Sequence, residues 1–173
     1  MPPDSALIAC VDVAYHATGA TAACVLFRDW GDASPERELV VPIEQVEPYE
    51  PGQFYRRELP CLRAVLATVD EPLRAIVVDG YVWLGVAREP GLGAHLFAAL
   101  GERVPVIGVA KTRYRGADSA HEIRRGESQA PLFVTAAGLD PAEAARRIAE
   151  MHGPYRIPTM LRKVDQLCRG HTE

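Results

Sequence analysis

The chain is expected to fold as one α/β domain, a mixed β-sheet with helices packed against it. Three observations predict this. Residues 6–43 hold three apolar runs separated by turns, the pattern of an antiparallel meander. After residue 57, helical and strand-like segments alternate, the pattern of β-α units. The length of 173 residues, 48% of them hydrophobic and 24% charged, suits one buried core.

Each element follows from a local pattern. Ala6 to Tyr15 is an apolar run with one carboxylate, Asp12, and reads as a buried strand. Thr18-Gly19-Ala20 makes a turn into a second strand, Ala22 to Phe27. Arg28 to Arg37 is polar, with Gly31, Asp32, Ser34 and Pro35, and reads as a loop. Glu38 to Ile43 is a third strand, and Pro42 suits an edge or a strand end. Pro51-Gly52 then turns the chain towards a helix that begins near Arg57 or Glu58, with Pro60 in its first turn. Cys61, Leu62, Val65, Leu66 and Val69 form its apolar stripe.

Leu73 to Val78 is a fully apolar strand that closes on Asp79-Gly80. Gly91 to Leu100 reads as a helix, Val104 to Ala110 as a buried strand ending at Lys111, and residues 112–130 as a loop. Pro131 to Thr135 is a short strand. Asp140-Pro141-Ala142-Glu143 starts a helix with Pro at its first position and Glu three residues after the cap, running to about His152. Pro158 opens a last helix to about Arg169.

Composition excludes some classes. No run approaches the roughly 18 apolar residues of a membrane span. No basic segment followed by an apolar one opens the chain, so no signal peptide is expected. The four cysteines, Cys10, Cys24, Cys61 and Cys168, lack metal-ligand spacing; Cys10, Cys24 and Cys61 sit in apolar runs and read as buried reduced thiols, which points to the cytoplasm. The net charge of −4 is unevenly spread: residues 1–87 hold 6 basic and 13 acidic side chains, residues 88–173 hold 13 and 10. Clusters at Lys111, Arg113, Arg115, Arg124 and Arg125, and from Arg146 to Arg169, suit contact with phosphate. A solvated helix face explains Arg146 and Arg147 equally well.

Three carboxylates sit in apolar context. Asp12 lies inside the first strand, Glu58 lies on the core-facing stripe of the first helix, and Asp79 closes the fourth strand. A carboxylate in such a place is expensive unless it is paired or holds a metal. Polar residues at strand ends gather at one edge of a mixed sheet. Together the three form the oxygen-rich set that suits a hard divalent cation such as Mg2+, or Mn2+ in its place.

These segments resemble the endonuclease V family, deoxyinosine-directed nucleases with a ribonuclease H-like fold. Val11-Asp12-Val13 fits the family's strand aspartate, and Pro48-Tyr49-Glu50-Pro51 fits its Pro-Tyr-x-Pro wedge. Phe54 to Glu58 fits the segment ending in Arg-Glu, and Val77-Val78-Asp79-Gly80 fits the second aspartate. Gly91-Leu92-Gly93-Ala94-His95 and Val106 to Lys111 fit two further segments. So do Ala130 to Val134 and Arg156-Ile157-Pro158 with Arg162 and Asp165.

The resemblance implies a metal-dependent endonuclease of DNA repair that cuts 3′ to inosine in DNA or RNA. Asp12, Glu58 and Asp79 would hold Mg2+, with Lys111 beside phosphate. Tyr49 and Pro51 would wedge beside the lesion. Gly80, Tyr81, Arg88 and His95 would lie along the nucleic acid. The segment after Asp79 departs from the family: Val82 replaces its second glycine, which narrows a base pocket, and its histidine is absent. Gly138 stands where the family has a second histidine, near the metal. A divergent family member, weakly active or non-catalytic, that binds nucleic acid or a protein partner is the alternative reading.

Overall fold

In the computed structural model, residues 5–46, 48, 50–51, 55–114 and 120–170 are described. The elements run β1 (Leu7–His16), β2 (Gly19–Phe27), β3 (Arg37–Ile43), α1 (Tyr55–Leu66), β4 (Leu73–Asp79), β5 (Trp83–Leu84), β6 (Glu89–Pro90), α2 (Leu92–Ala99), β7 (Val106–Ala110), β8 (His121–Ile123), β9 (Leu132–Ala137), α3 (Pro141–Glu150) and α4 (Thr159–Cys168). Seven strands form one sheet in the order β3-β2-β1-β4-β7-β9-β8. The β1–β2–β3 meander is antiparallel, β1, β4 and β7 are parallel, and β9 runs antiparallel to β7. The expected mixed sheet is therefore observed.

Alternation along the strands splits the core into two layers, because successive side chains leave opposite faces. Leu7, Ala9 and Val11 pack with Cys61, Leu62 and Val65 of α1 and Leu92 and Leu96 of α2. Ile8 and Cys10 pack with Ala144 and Ile148 of α3 and Met160, Val164 and Cys168 of α4. All four cysteines are free and buried.

Three local expectations are corrected, and one short hairpin is new. α1 begins at Tyr55, so Pro60 sits in its second turn. The buried contacts of Cys61, Leu62 and Val65 outweigh the backbone bond that a proline cannot donate. Asp140 makes no side-chain cap on α3; Glu143 instead pairs with Arg146 and Arg147. The polar stretch read as a loop contains β8, whose pairing with β9 outweighs its lack of apolar pattern. The segment after Asp79 folds into the β5–β6 hairpin.

Candidate active site

The two strand aspartates meet because β1 and β4 are neighbours in register. Their pairing ends at Val11 opposite Val78, so Asp12 and Asp79 follow on adjacent strands. Both continue the series that faces α4: Ile8 and Cys10 precede Asp12, and Ala75 and Val77 precede Asp79. Lys111 continues the same series after Ile107 and Val109 of β7. Its Nζ lies 3.6 Å from Asp79 Oδ2. Helix α4 closes the space with Leu161, Arg162, Val164 and Asp165, leaving a cavity of about 110 Å³ lined also by Asp12, Asp79 and Lys111.

Asp165, which the sequence marks only as part of a C-terminal segment, joins the acids. Its carboxylate, that of Asp12 and the Cys168 thiol have ligand atoms within 4.8 Å of one another. In the sequence it looks like a solvated helix residue, and it does pair with Arg169 at 2.8 Å. Its place beside Asp12 is set by the docking of α4 on β1.

Glu58 approaches from the opposite layer, on α1. It does not line the cavity, and the charges of Asp12 and Asp79 reach it by electrostatic repulsion. Burial, then repulsion from Asp12 and Asp79, pushes it up to about 8, against the opposing pull of Arg57. Burial pushes Asp12 up to about 7; its bond from the Val13 N–H opposes this, Asp79 and Asp165 add to it, and Lys111 opposes it. Acids this crowded favour a bound cation once ionised. The oxygen donors fit a hard divalent ion.

The other expected residues scatter. Gly80 has φ +127° and open space where a side chain would stand. A Cβ on Gly108 would lie 2.5 Å from Gly80 O, so a glycine in β7 is what lets the Asp79–Tyr81 turn approach. The Tyr81 hydroxyl donates to Thr112 O at 2.8 Å and accepts from the Tyr114 N–H at 3.0 Å. It therefore ties down the chain just after Lys111. Arg88 lies 5.1 Å from the Trp83 ring centroid, and His95 stacks on Tyr55 with centroids 3.7 Å apart. Arg88 and His95 share a second pocket with Trp83, Phe97 and Gly138, which has no lining residue in common with the acid cavity. Pro51 is exposed in a turn, and Tyr49 lies outside the described residues.

Val82 is fully buried and packs on Gly93 at the start of α2. One expectation about the departures is not met. Gly138 is not near the acids. Val134 pairs with Val109, the partner of Asp79, and Gly138 lies four residues further along, about 13 Å at 3.3 Å per residue.

The family model for Endonuclease V matches residues 1–138. The Endonuclease V of Streptomyces avermitilis is 31% identical over 191 residues, covering 97% of this chain and 81% of that protein. This chain belongs to the endonuclease V family.

Crystal structures agree on the fold. Endonuclease V from S. avermitilis superposes with a TM-score of 0.74 at 29% identity, covering 98% of this chain and 82% of that one. Endonuclease V from Ciona intestinalis, solved in complex with a DNA containing an inosine, has a TM-score of 0.69 at 17% identity, covering 95% and 84%. At that identity the likeness concerns the fold alone. Endonuclease V proteins are nucleases, and the acid cavity is a possible metal site in this one. Among the described residues, no helix is long and apolar enough to cross a membrane.

Proposed function

We propose that this chain, acting as a single domain, is a Mg2+-dependent endonuclease that hydrolyses a phosphodiester bond 3′ to inosine in DNA or RNA. The observation that carries the reading is the meeting of Asp12, Asp79, Asp165 and Lys111 around one cavity, with Glu58 behind them. Asp12, Glu58, Asp79 and Asp165 would hold the cation, with Mn2+ able to replace Mg2+. When bound, the cation supplies Lewis-acid polarisation of the scissile phosphate and lowers the pKa of its water.

The chain's own groups do the rest. Ionised Asp12 and Asp165 accept hydrogen bonds from the attacking water and orient it. Lys111 turns from Asp79 towards a phosphate oxygen and offsets the charge that develops there. The apolar wall of Val11, Val109, Ile157 and Leu161 limits bulk water and strengthens both interactions. Open space over Gly80 lets a base approach the backbone.

The test is a nicking assay on single- and double-stranded DNA and RNA carrying one inosine, with Mg2+ or Mn2+. The expected result is a nick one nucleotide beyond the inosine that is lost in Asp12→Ala. A folded protein that cuts none of these substrates would overturn the reading in favour of a non-cutting nucleic-acid binder.

A further inference from the structure

We propose that Tyr155 and Arg162 form a preorganised stacking platform for an unpaired nucleobase flanking the scissile phosphate. The preferred nucleic acid is then one whose strand is locally single. This deepens the nuclease reading and rests on it for the position of the phosphate.

The platform begins with an exposed ring. Tyr155 is 61% exposed, in a protein whose other large apolar side chains are mostly buried. The Arg162 guanidinium carbon lies 5.3 Å from its ring centroid. Arg162 also lines the acid cavity, so cavity, guanidinium and ring are continuous. Among the described residues Arg162 has no carboxylate partner, which leaves its charge available to a phosphate.

The backbone under that ring is held with unusual thoroughness for a surface loop. Arg125, 5% exposed, has no carboxylate partner among the described residues. Its guanidinium donates instead to four carbonyls: Met151 O at 2.6 Å, Gly153 O at 3.0 Å, Tyr155 O at 2.7 Å and Arg156 O at 3.3 Å. Arg156 in turn donates to Lys111 O at 2.5 Å and Pro131 O at 2.8 Å. The loop is thereby tied to the strand end that carries Lys111.

An immobilised loop that presents an aromatic ring to solvent has lost conformational entropy without burying the ring. Such an arrangement favours a planar ligand, because the ordering cost is already met. A nucleobase fits: its π-face stacks on tyrosine, its phosphate meets arginine, and stacking tolerates any sequence. In an intact duplex both faces of a base are covered by its neighbours. The platform therefore rewards strands that are unpaired or easily unpaired.

The probes are inosine-containing oligonucleotides with 2-aminopurine at each position flanking the scissile bond, bound in chelator to prevent cutting. For single strands, Tyr155→Ala should weaken binding about ten-fold and abolish stacking-induced quenching. Tyr155→Phe should keep both, and affinity for a fully paired duplex should be unchanged in either variant. Tyr155→Ala that binds and quenches like the parent overturns the platform, as does equal loss in the Ala and Phe variants. A parent protein that binds no single strand also overturns it. Nicking with metal is scored separately: a parent that nicks while Tyr155→Ala behaves identically loses the platform alone. A parent that never nicks but shows the Tyr155 dependence loses the nuclease reading alone.

Discussion

Asp12 and Asp79 stand on neighbouring parallel strands, each one residue beyond the Val11–Val78 rung. Strands lie about 4.8 Å apart, so two carboxylates on one face repel strongly when both ionise. With Asp165 added from α4, three carboxylates line one cavity with the cations Lys111 and Arg162.

The pH dependence follows from the sign of the shifts. Asp12 at about 7 and Glu58 at about 8 are raised above the ordinary carboxylate range, so folding favours their protonated forms. Their contribution to stability is complete below the unfolded pKa, about 4, and is lost as pH rises through 7 to 8. The metal-free protein should therefore melt lower at about pH 9 than at about pH 5. Millimolar Mg2+ or Mn2+ should reverse most of that fall. Calorimetry at both pH values, with and without metal, checks it; an equal fall with and without metal would contradict the site.

Asp12→Asn removes one of the crowded charges. In chelator at about pH 8 it should raise the melting temperature by about 3 °C, corresponding to about 1 kcal/mol in a chain of this size. The same variant should lose the metal-induced rise and the nicking activity. Asp165→Asn should behave alike on the metal response.

Tyr81→Phe keeps the ring and deletes the hydroxyl that bridges Thr112 and Tyr114. The stability cost should be small, about 1 kcal/mol. The chain that follows Lys111 would be released, so kcat should fall about ten-fold with KM little changed. Urea unfolding and single-turnover nicking separate the two effects.

Arg125→Met strands four carbonyls that share one guanidinium. The expected loss is about 2 kcal/mol, from one buried and three part-buried acceptors left without their donor. Arg125→Lys should recover little, because an ammonium cannot span four carbonyls. Denaturant midpoints measure both.

Gly138→His introduces the residue type that the family resemblance suggests for this position. Gly138 has φ +79°, and a Cβ there would lie 2.8 Å from the Phe97 ring. The variant should lose about 2 kcal/mol and gain no activity. Faster nicking would contradict the distance inferred from the β9 register.

Much of the architecture is legible in the sequence. The apolar runs containing Asp12 and ending at Asp79 and Lys111 dictate buried strands, and polar groups at such strand ends collect at one edge. Local pattern could not reveal what depends on docking. Asp165 makes an ordinary ion pair with Arg169, and its second neighbour, Asp12, is distant in sequence. Arg125 lies in a polar stretch indistinguishable from a solvated loop, because its four acceptors are main-chain oxygens. The β8 strand and the β5–β6 hairpin are too short for any periodicity to register.

The two-layer core also sets an order of events. A growing chain makes Asp12, Glu58 and Asp79 long before Asp165, with β9 and α3 in between. Until α4 docks on β1, the strand-end acids lack the wall formed by Leu161, Arg162 and Asp165. A ribosome-bound or C-terminally trimmed chain would carry most of its acidic groups while presenting them to open solvent. Cutting competence is thus deferred until the far end of the domain has folded back onto its first strand.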